Sequence, residues 1–220
     1  FKMKNKIKII AEAGCNHNGN LKLAYKLIDK AALARVDSVK FQLYDADKLL
    51  IKKAAKASYA KKNTKKNESQ YAMQKKLQLS QKDHIKLQKY CKKKKVEYLS
   101  SAFDIPSLFF LNKIKVNYFK IPSGEITNYP YLKSVGILNK KTILSTGMST
   151  INEIRNAINI MVKSGLKRNK ITLLQCNTEY PTPFSDVNLR AMNEMKKIFK
   201  VEVGLSDHTL GIEVPIAAAS

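Results

Sequence analysis

Tyr118-Phe119-Lys120-Ile121-Pro122-Ser123-Gly124-Glu125 is the stretch on which the reading of the fold turns. Aromatic and β-branched residues at its start predict a buried strand, and Pro122-Ser123-Gly124 carries that strand into a loop. Lys120 and Glu125 bracket the exit. A strand interior excludes ammonium and carboxylate groups unless they are paired or have a ligand, because stripping their water is costly. In α/β proteins the carboxyl ends of parallel strands are where chemistry collects. The stretch therefore reads as a parallel strand delivering two charges to a functional rim.

Working outward, the same grammar recurs. Apolar runs rich in Ile, Val, Leu and Phe lie at Lys6–Ala13, Ser38–Leu43, Val96–Phe103, Tyr118–Gly124, Lys141–Gly147, Ile171–Asn177 and Val201–Asp207. Helical-period segments separate most of them. Asn20 is a good N-cap for a first helix that puts Leu23, Leu27, Ile28 and Ala31 on one stripe. Ser80-Gln81-Lys82-Asp83 has the form of a capping box, Asp104 and Pro106 open a short helix, and Thr150-Ile151-Asn152-Glu153 is a second box. Gly165 fits the C′ stop of that helix, and Ser185 and Asp186 are expected to begin the next. Strand and helix alternating at this spacing mean parallel β/α units.

Two architectures suit such units, an open doubly wound sheet or an eight-stranded barrel. An open sheet would gather its polar residues at one switch point. Here polar residues stand at nearly every strand exit, which favours the barrel. A barrel takes about 250 residues, whereas this chain of 220 reaches Ala217-Ala218-Ala219-Ser220 inside its seventh helix. The expectation is an α/β (β/α)8 TIM barrel truncated before the eighth strand. Residues 1–220 would be an incomplete catalytic domain, starting at Phe1 as a partial-sequence remnant and carrying a Lys-rich, partly irregular insertion over about residues 50–79.

Composition bounds the function. No segment approaches the ~18 uninterrupted apolar residues of a membrane helix. Phe1 to Lys8 alternates Lys with apolar residues and leads straight into a strand, unlike a secretory signal. Cys15, Cys91 and Cys176 are odd in number and far apart, without metal-type spacing, which argues against a disulfide framework and for a reducing cytoplasm. Small-hydrophobe roles are expected for Cys15 and Cys176. The net charge of +24 invites a nucleic-acid reading. The lysines, however, are spread along the whole chain without interleaved aromatics, and Lys52 to Lys66 and Lys92 to Lys95 read as solvated faces. No nucleic-acid or membrane partner is expected.

Alternate strand residues share a face. Lys40 and Gln42 therefore share one, as do Gly204, Ser206 and His208, while Glu12 sits among small residues. The strand exits together offer Glu12, Lys40, Gln42, Ser101, Lys120, Ser123, Glu125, Ser145, Thr178 and His208. Two lysines with hydroxyls suit a small anion bearing phosphate or carboxylate. Glutamates beside them can position water or move protons. His208, next to Asp207, suits a metal ligand oriented by a carboxylate. Singly, each of these residues is more often an ion-pair partner or a packed side chain; it is the set that speaks for a ligand. His17, in the turn Asn16-His17-Asn18-Gly19, either packs its loop or lines the rim. His84 lies on a helix among exposed-looking neighbours and has no expected role. Tyr180-Pro181-Thr182-Pro183 either holds Tyr180 over the site or is a rigid connector.

An ordered set of motifs carries a resemblance. Ala11-Glu12-Ala13-Gly14 with Asn16-His17-Asn18-Gly19, Lys40-Phe41-Gln42, Lys120-Ile121-Pro122-Ser123-Gly124-Glu125, Leu144-Ser145-Thr146-Gly147-Met148, Tyr180-Pro181-Thr182-Pro183 and Gly204-Leu205-Ser206-Asp207-His208-Thr209 together resemble the N-acetylneuraminate (sialic acid) synthase family, including the bacterial legionaminic and pseudaminic acid synthases. The match runs through the whole chain apart from the Lys-rich insertion.

The resemblance implies a barrel followed by a C-terminal antifreeze-like domain, working as a cytoplasmic, domain-swapped homodimer. It implies condensation of phosphoenolpyruvate with an open-chain N-acylated hexosamine of the N-acetylmannosamine type, giving a nonulosonic acid and phosphate, with a divalent metal (Mn2+ or Mg2+) as Lewis acid. By position, Lys40, Lys120, Ser101, Ser123, Ser145, Thr178 and Ser206 would hold phosphoenolpyruvate, and some relatives have Thr at 101 and Asn at 178. Glu125 would position water, Glu12 and Gln42 would contact the sugar with Tyr180 near it, and His208 would be one metal ligand. The second metal His of the pattern would lie on the eighth strand. Two rival readings remain: a phosphoenolpyruvate-dependent enzyme for another aldose, and a non-enzymatic basic nucleic-acid binder.

Overall fold

In the computed structural model, which describes residues 7–52 and 68–220, the apolar runs become parallel strands alternating with helices. The chain divides into two compact units, Phe1–Val116 and Asn117–Ser220. In the first, β1 (Ile10–Gly14), β2 (Ser38–Leu43) and β3 (Glu97–Ala102) lie side by side in chain order. Their connections run through α1 (Leu21–Leu33), α2 (Ala46–Leu49), α3 (Gln70–Leu77) and α4 (Gln81–Lys93), and α5 (Ile105–Lys113) follows β3. In the second unit β4 (Tyr118–Ile121), β5 (Lys141–Ser145), β6 (Ile171–Cys176) and β7 (Glu202–Ser206) are ordered likewise. Here α6 (Tyr129–Leu138), α7 (Ile151–Lys163) and α8 (Arg190–Phe199) make the crossovers, and α9 (Glu213–Ala219) follows β7.

Local chemistry explains most boundaries. Asn20 caps α1 by accepting from the Lys22 and Leu23 amides, and Ser80 and Asp104 cap α4 and α5 in the same way. Thr150 and Glu153 form the full reciprocal box at α7. The far end of α7 closes on Gly165, whose φ of +116° places it where a side chain would be strained. The Gly165 amide then reaches Val162 O at 3.0 Å and the Leu166 amide reaches Met161 O at 3.0 Å, satisfying two carbonyls the helix leaves open.

Each unit has its own core. Phe41, Ile28, Leu87, Leu99, Leu108 and Leu111 are fully buried in the first, and Phe119, Ile121, Tyr131, Leu132, Leu144 and Ile158 in the second. Several expectations are corrected. β1 begins at Ile10 rather than Lys6, which lies outside the described residues. Leu23 is exposed, because the inward stripe of α1 runs through Ala24, Ile28 and Ala31. Ser185 and Asp186 sit in a short 3-10 turn, and the true helix starts only at Arg190. Of the Lys-rich stretch, 53–67 lies outside the described residues, and its end is the regular helix α3. His84, on a helix whose neighbours looked exposed, is completely buried, its Nδ1 2.6 Å from the Tyr98 hydroxyl.

Candidate active site

Register decides which side chains share a face. In the first unit Glu12 stands opposite Lys40, and Gln42 opposite Ser101. Paired residues of parallel neighbours point the same way, so these four lie on one face, at the carboxyl ends of their strands. Lys40 Nζ contacts Glu12 Oε2 at 2.5 Å and donates to Ser101 Oγ at 3.4 Å. The Lys40 side chain is only 13% exposed, whereas that of Glu12 is 48% exposed. The ammonium is thus held at depth by a carboxylate that reaches toward water.

Cys15, just past β1, donates its thiol proton to Gln42 Oε1 at 3.2 Å and lies 4.0 Å from the Tyr44 hydroxyl. Tyr44 in turn donates to the Gln74 carbonyl at 3.1 Å. Burial is the main cause that raises the Cys15 pKa, which keeps it a neutral donor. Cys15 is therefore no simple hydrophobe: it fixes which end of the Gln42 amide faces outward. His17 resolves toward packing. It is 1% exposed, accepts from the Gly19 amide at 3.0 Å, and is pushed below its ordinary pKa by burial.

The second unit shows the same logic. Lys120 pairs with Ile143 and Leu174 with Gly204, while Cys176 pairs with Ser206. Ser145 stands opposite Leu174. Lys120, Ser145, Cys176 and Ser206 consequently share one strand face. Lys120 is 7% exposed and donates to the Ile121 carbonyl at 3.3 Å. The Ser145 hydroxyl is buried with no hydrogen-bond partner among the described residues. An unsatisfied buried hydroxyl costs about 1–3 kcal/mol, so its presence on this face is what a ligand oxygen would relieve.

Past β4 the chain makes a 3-10 turn, Ser123–Glu125. Ser123 Oγ accepts from the Gly147 amide at 3.0 Å, and Glu125 Oε2 accepts from Asn128 Nδ2 at 2.6 Å. Gly147 stands at a close approach: a Cβ there would meet Thr178 Cγ2 at 2.7 Å and Ser123 Oγ at 3.0 Å, so one of them would have to move. Past β6, the Tyr180 ring lies 4.2 Å from the His208 ring, centroid to centroid. Thr182 N donates to the His208 carbonyl at 2.9 Å, which ties the loop after β6 to the loop after β7.

His208 fits a metal ligand. Its Nδ1 lies 2.7 Å from the Asn177 carbonyl, which can only accept, so Nδ1 carries the proton and Nε2 keeps its lone pair. The orienting group is this carbonyl and not Asp207, whose carboxylate is taken by the Thr209 amide and hydroxyl at 3.1 and 2.9 Å. Among the described residues no group of three or more His, Cys, Asp or Glu side chains is arranged around a metal position.

The matching family model is that of the NeuB family, over residues 27–220. The chain belongs to the NeuB family. This NeuB chain is 52% identical over 215 residues to an N,N'-diacetyllegionaminic acid synthase of Campylobacter jejuni, covering 98% of itself and 64% of that protein. It is 43% identical over 212 residues to the N,N'-diacetyllegionaminic acid synthase of Legionella pneumophila, covering 96% of itself and 60% of that protein. It therefore spans less than two thirds of the length of these curated relatives. Among solved structures it superposes on the N-acetylneuraminic acid (sialic acid) synthetase of Leptospira borgpetersenii, in complex with citrate, with a TM-score of 0.82 and 32% identity, over 97% of this chain and 69% of that one. The fold class is accordingly the β/α barrel expected for the NeuB family.

Sequence reasoning named the strand-exit residues that each unit brings onto one face. It missed Tyr44, Asn128 and the Asn177 carbonyl, and it took Cys15 and Cys176 for packing residues. The signal for the two cysteines was their position directly at strand exits, among residues already singled out.

Proposed function

We propose that this chain is the barrel part of an enzyme that condenses phosphoenolpyruvate with an N-acetylmannosamine-type sugar. The C3 carbon of phosphoenolpyruvate bonds to the aldehyde carbon, water adds at C2, and phosphate leaves, giving a sialic-acid-like nonulosonic acid. The observation that carries this reading is the face shared by the buried Lys120 ammonium and the unpartnered, buried Ser145 hydroxyl, a donor set made for an anionic oxygen. The kinship with legionaminic and sialic acid synthases supports the reaction class, and identity to two diacetyllegionaminic acid synthases favours a diacetylated sugar.

In this reading Lys40, Lys120, Ser101, Ser123, Ser145, Thr178 and Ser206 hold the carboxylate and phosphate of phosphoenolpyruvate. Glu125, steadied by Asn128, accepts the proton of the attacking water at its other carboxylate oxygen. Glu12 accepts from a sugar hydroxyl while neutralising Lys40, and the Gln42 amide donates to a sugar oxygen because Cys15 occupies its carbonyl end. Tyr180 covers the sugar. His208 Nε2 would be one ligand to a divalent metal (Mn2+ or Mg2+), which when bound polarises the sugar carbonyl as a Lewis acid. A cytoplasmic homodimer with a further C-terminal antifreeze-like domain completes the proposal. Among the described residues no helix is long and apolar enough to cross a membrane.

The test is phosphate release from phosphoenolpyruvate by the complete protein, with Mn2+ and a panel of mono- and di-N-acetylated amino sugars. Sugar-dependent release is the expected result. Its absence across the panel would overturn the proposal.

A further inference from the structure

In the second unit a chain of hydrogen bonds links Ser123 to His208 through a residue with no role so far, Cys176. Gly147 N donates to Ser123 Oγ at 3.0 Å, and Ser123 Oγ lies 3.8 Å from Cys176 Sγ. Cys176 Sγ lies 3.4 Å from the Asn177 carbonyl oxygen, and His208 Nδ1 reaches that same oxygen at 2.7 Å. Donor order follows from the ends. The Gly147 amide can only donate, so Ser123 accepts from it and turns its own proton to sulfur. The carbonyl of Asn177 can only accept, so the thiol and the imidazole both point to it. Five groups from the exits of β4, β5, β6 and β7 are thereby strung on one line, with Cys176 in the middle.

We infer that Cys176 is a positioning residue, holding the Ser123 hydroxyl on one side and, through the Asn177 carbonyl, the His208 imidazole on the other. This rests on the proposed reaction, in which Ser123 meets phosphoenolpyruvate and His208 the metal.

A thiol suits the place for a physical reason. Sulfur is a weak acceptor, so the Ser123 proton is parked on it and released to an anionic oxygen at little cost. An oxygen or carboxylate in the same position would hold that proton harder. The thiol is also long enough to span between Ser123 and Asn177. Gly147 keeps Ser123 in place by leaving no room for a Cβ, with the Cys176 carbonyl itself 3.3 Å from where that Cβ would stand. The Tyr180 ring packs against the imidazole, centroids 4.2 Å apart. Removing the thiol leaves Ser123 without its acceptor and Asn177 with one donor fewer, and both consequences are local.

The experiment uses the complete protein with Mn2+, phosphoenolpyruvate and the best sugar of the panel. Cys176→Ala should raise KM for phosphoenolpyruvate about three- to tenfold, the worth of one neutral hydrogen bond, while KM for the sugar and Tm stay near wild type. Direct Mn2+ titration of the substrate-free protein should show weaker binding in Cys176→Ala. Cys176→Ser, which keeps a donor and an acceptor, should recover part of both losses. In the Ser123→Ala background, Cys176→Ala should add little to KM for phosphoenolpyruvate, because the bond it supports is already gone. Unchanged KM and Mn2+ binding in Cys176→Ala, or fully additive effects in the double variant, would overturn the inference. So would a uniform loss accompanied by a large fall in Tm, which marks a merely structural side chain. If the wild-type protein itself releases no phosphate, it is the proposed reaction that has failed, and the inference falls with it. An active wild type with an indifferent Cys176→Ala sinks the inference alone.

Discussion

Lys40 and Glu12 are direct cross-strand neighbours joined by a 2.5 Å ion pair, with the ammonium mostly buried and the carboxylate about half in water. An exposed partner contributes little to stability, on the order of 1 kcal/mol or less. Glu12→Gln should therefore move Tm by only a few degrees. A charged hydrogen bond to a sugar hydroxyl is worth more, so KM for the sugar should rise about 10- to 100-fold. Sugar-dependent kinetics beside a melting curve checks both, and an unchanged KM would remove Glu12 from the sugar site.

Lys120→Ala and Glu125→Gln each delete a group to which the proposed reaction gives a direct role. Turnover in the complete protein should drop by about 100-fold or more for the loss of the proton acceptor Glu125, and at least as far for Lys120. Continuous phosphate detection reads this directly. Near-normal turnover in either variant would refute the assigned role.

Gly147→Ala probes the closest approach in the second unit. Its Cβ would stand 2.7 Å from Thr178 Cγ2 and 3.0 Å from Ser123 Oγ, so one of them must move. Overpacking of this kind costs about 1–3 kcal/mol, to be seen as a lower urea midpoint. KM for phosphoenolpyruvate should rise with it, because the atom displaced belongs to Ser123. A loss of stability with binding untouched would separate the loop from the anion site.

His84 predicts an acid limit on stability. Burial is the main cause that lowers its pKa from an ordinary 6.5 to about 4, with His17 adding to the shift and Asp83 opposing it. The unfolded chain therefore binds a proton that the folded one refuses between those two values. The contribution of His84 is fully present above pH 6.5 and is lost as pH falls toward 4, amounting to on the order of 3 kcal/mol. Urea unfolding at pH 7.5 and pH 4.5 should show a smaller difference in His84→Gln, which cannot titrate, than in wild type. Equal differences would exclude His84 as the source.

His208→Ala and chelation should converge. Removing the divalent metal from the complete protein should abolish turnover, and added Mn2+ should restore it in wild type and not in His208→Ala. Metal-independent turnover would contradict the placing of His208 as a ligand.

Helix starts were legible where the cap is a neighbour of what it caps. Asn20, Ser80, Asp104 and Thr150 all act within about one turn, and all were read correctly. Ser185-Asp186 carried the same signal, yet it serves a 3-10 turn and the helix starts beyond it at Arg190. The faces of β2 and β7 were legible for the same reason, since alternation is a property of consecutive residues.

Partners were a different matter. The bond of Cys15 to Gln42 spans 27 residues, that of Ser123 to Cys176 spans 53, and that of His208 to the Asn177 carbonyl spans 31. Nothing in local periodicity encodes a meeting at that separation, and so two cysteines passed for packing residues. His84 failed likewise: it shares the buried side of its helix with Leu87 and Cys91, and its hydroxyl partner Tyr98 lies 14 residues away on a strand.

By itself the sequence determined the order of strands and helices, most caps, the face that Lys40 and Gln42 share and the one that Gly204 and Ser206 share, because each follows from residues within a turn or a pleat. Only the tertiary structure decided that Glu12 tethers Lys40, that Cys176 stands between Ser123 and His208, and that a carbonyl rather than Asp207 aims the imidazole. Those facts depend on which strands lie side by side and in what register, and register is a matter of packing between segments far apart in the chain.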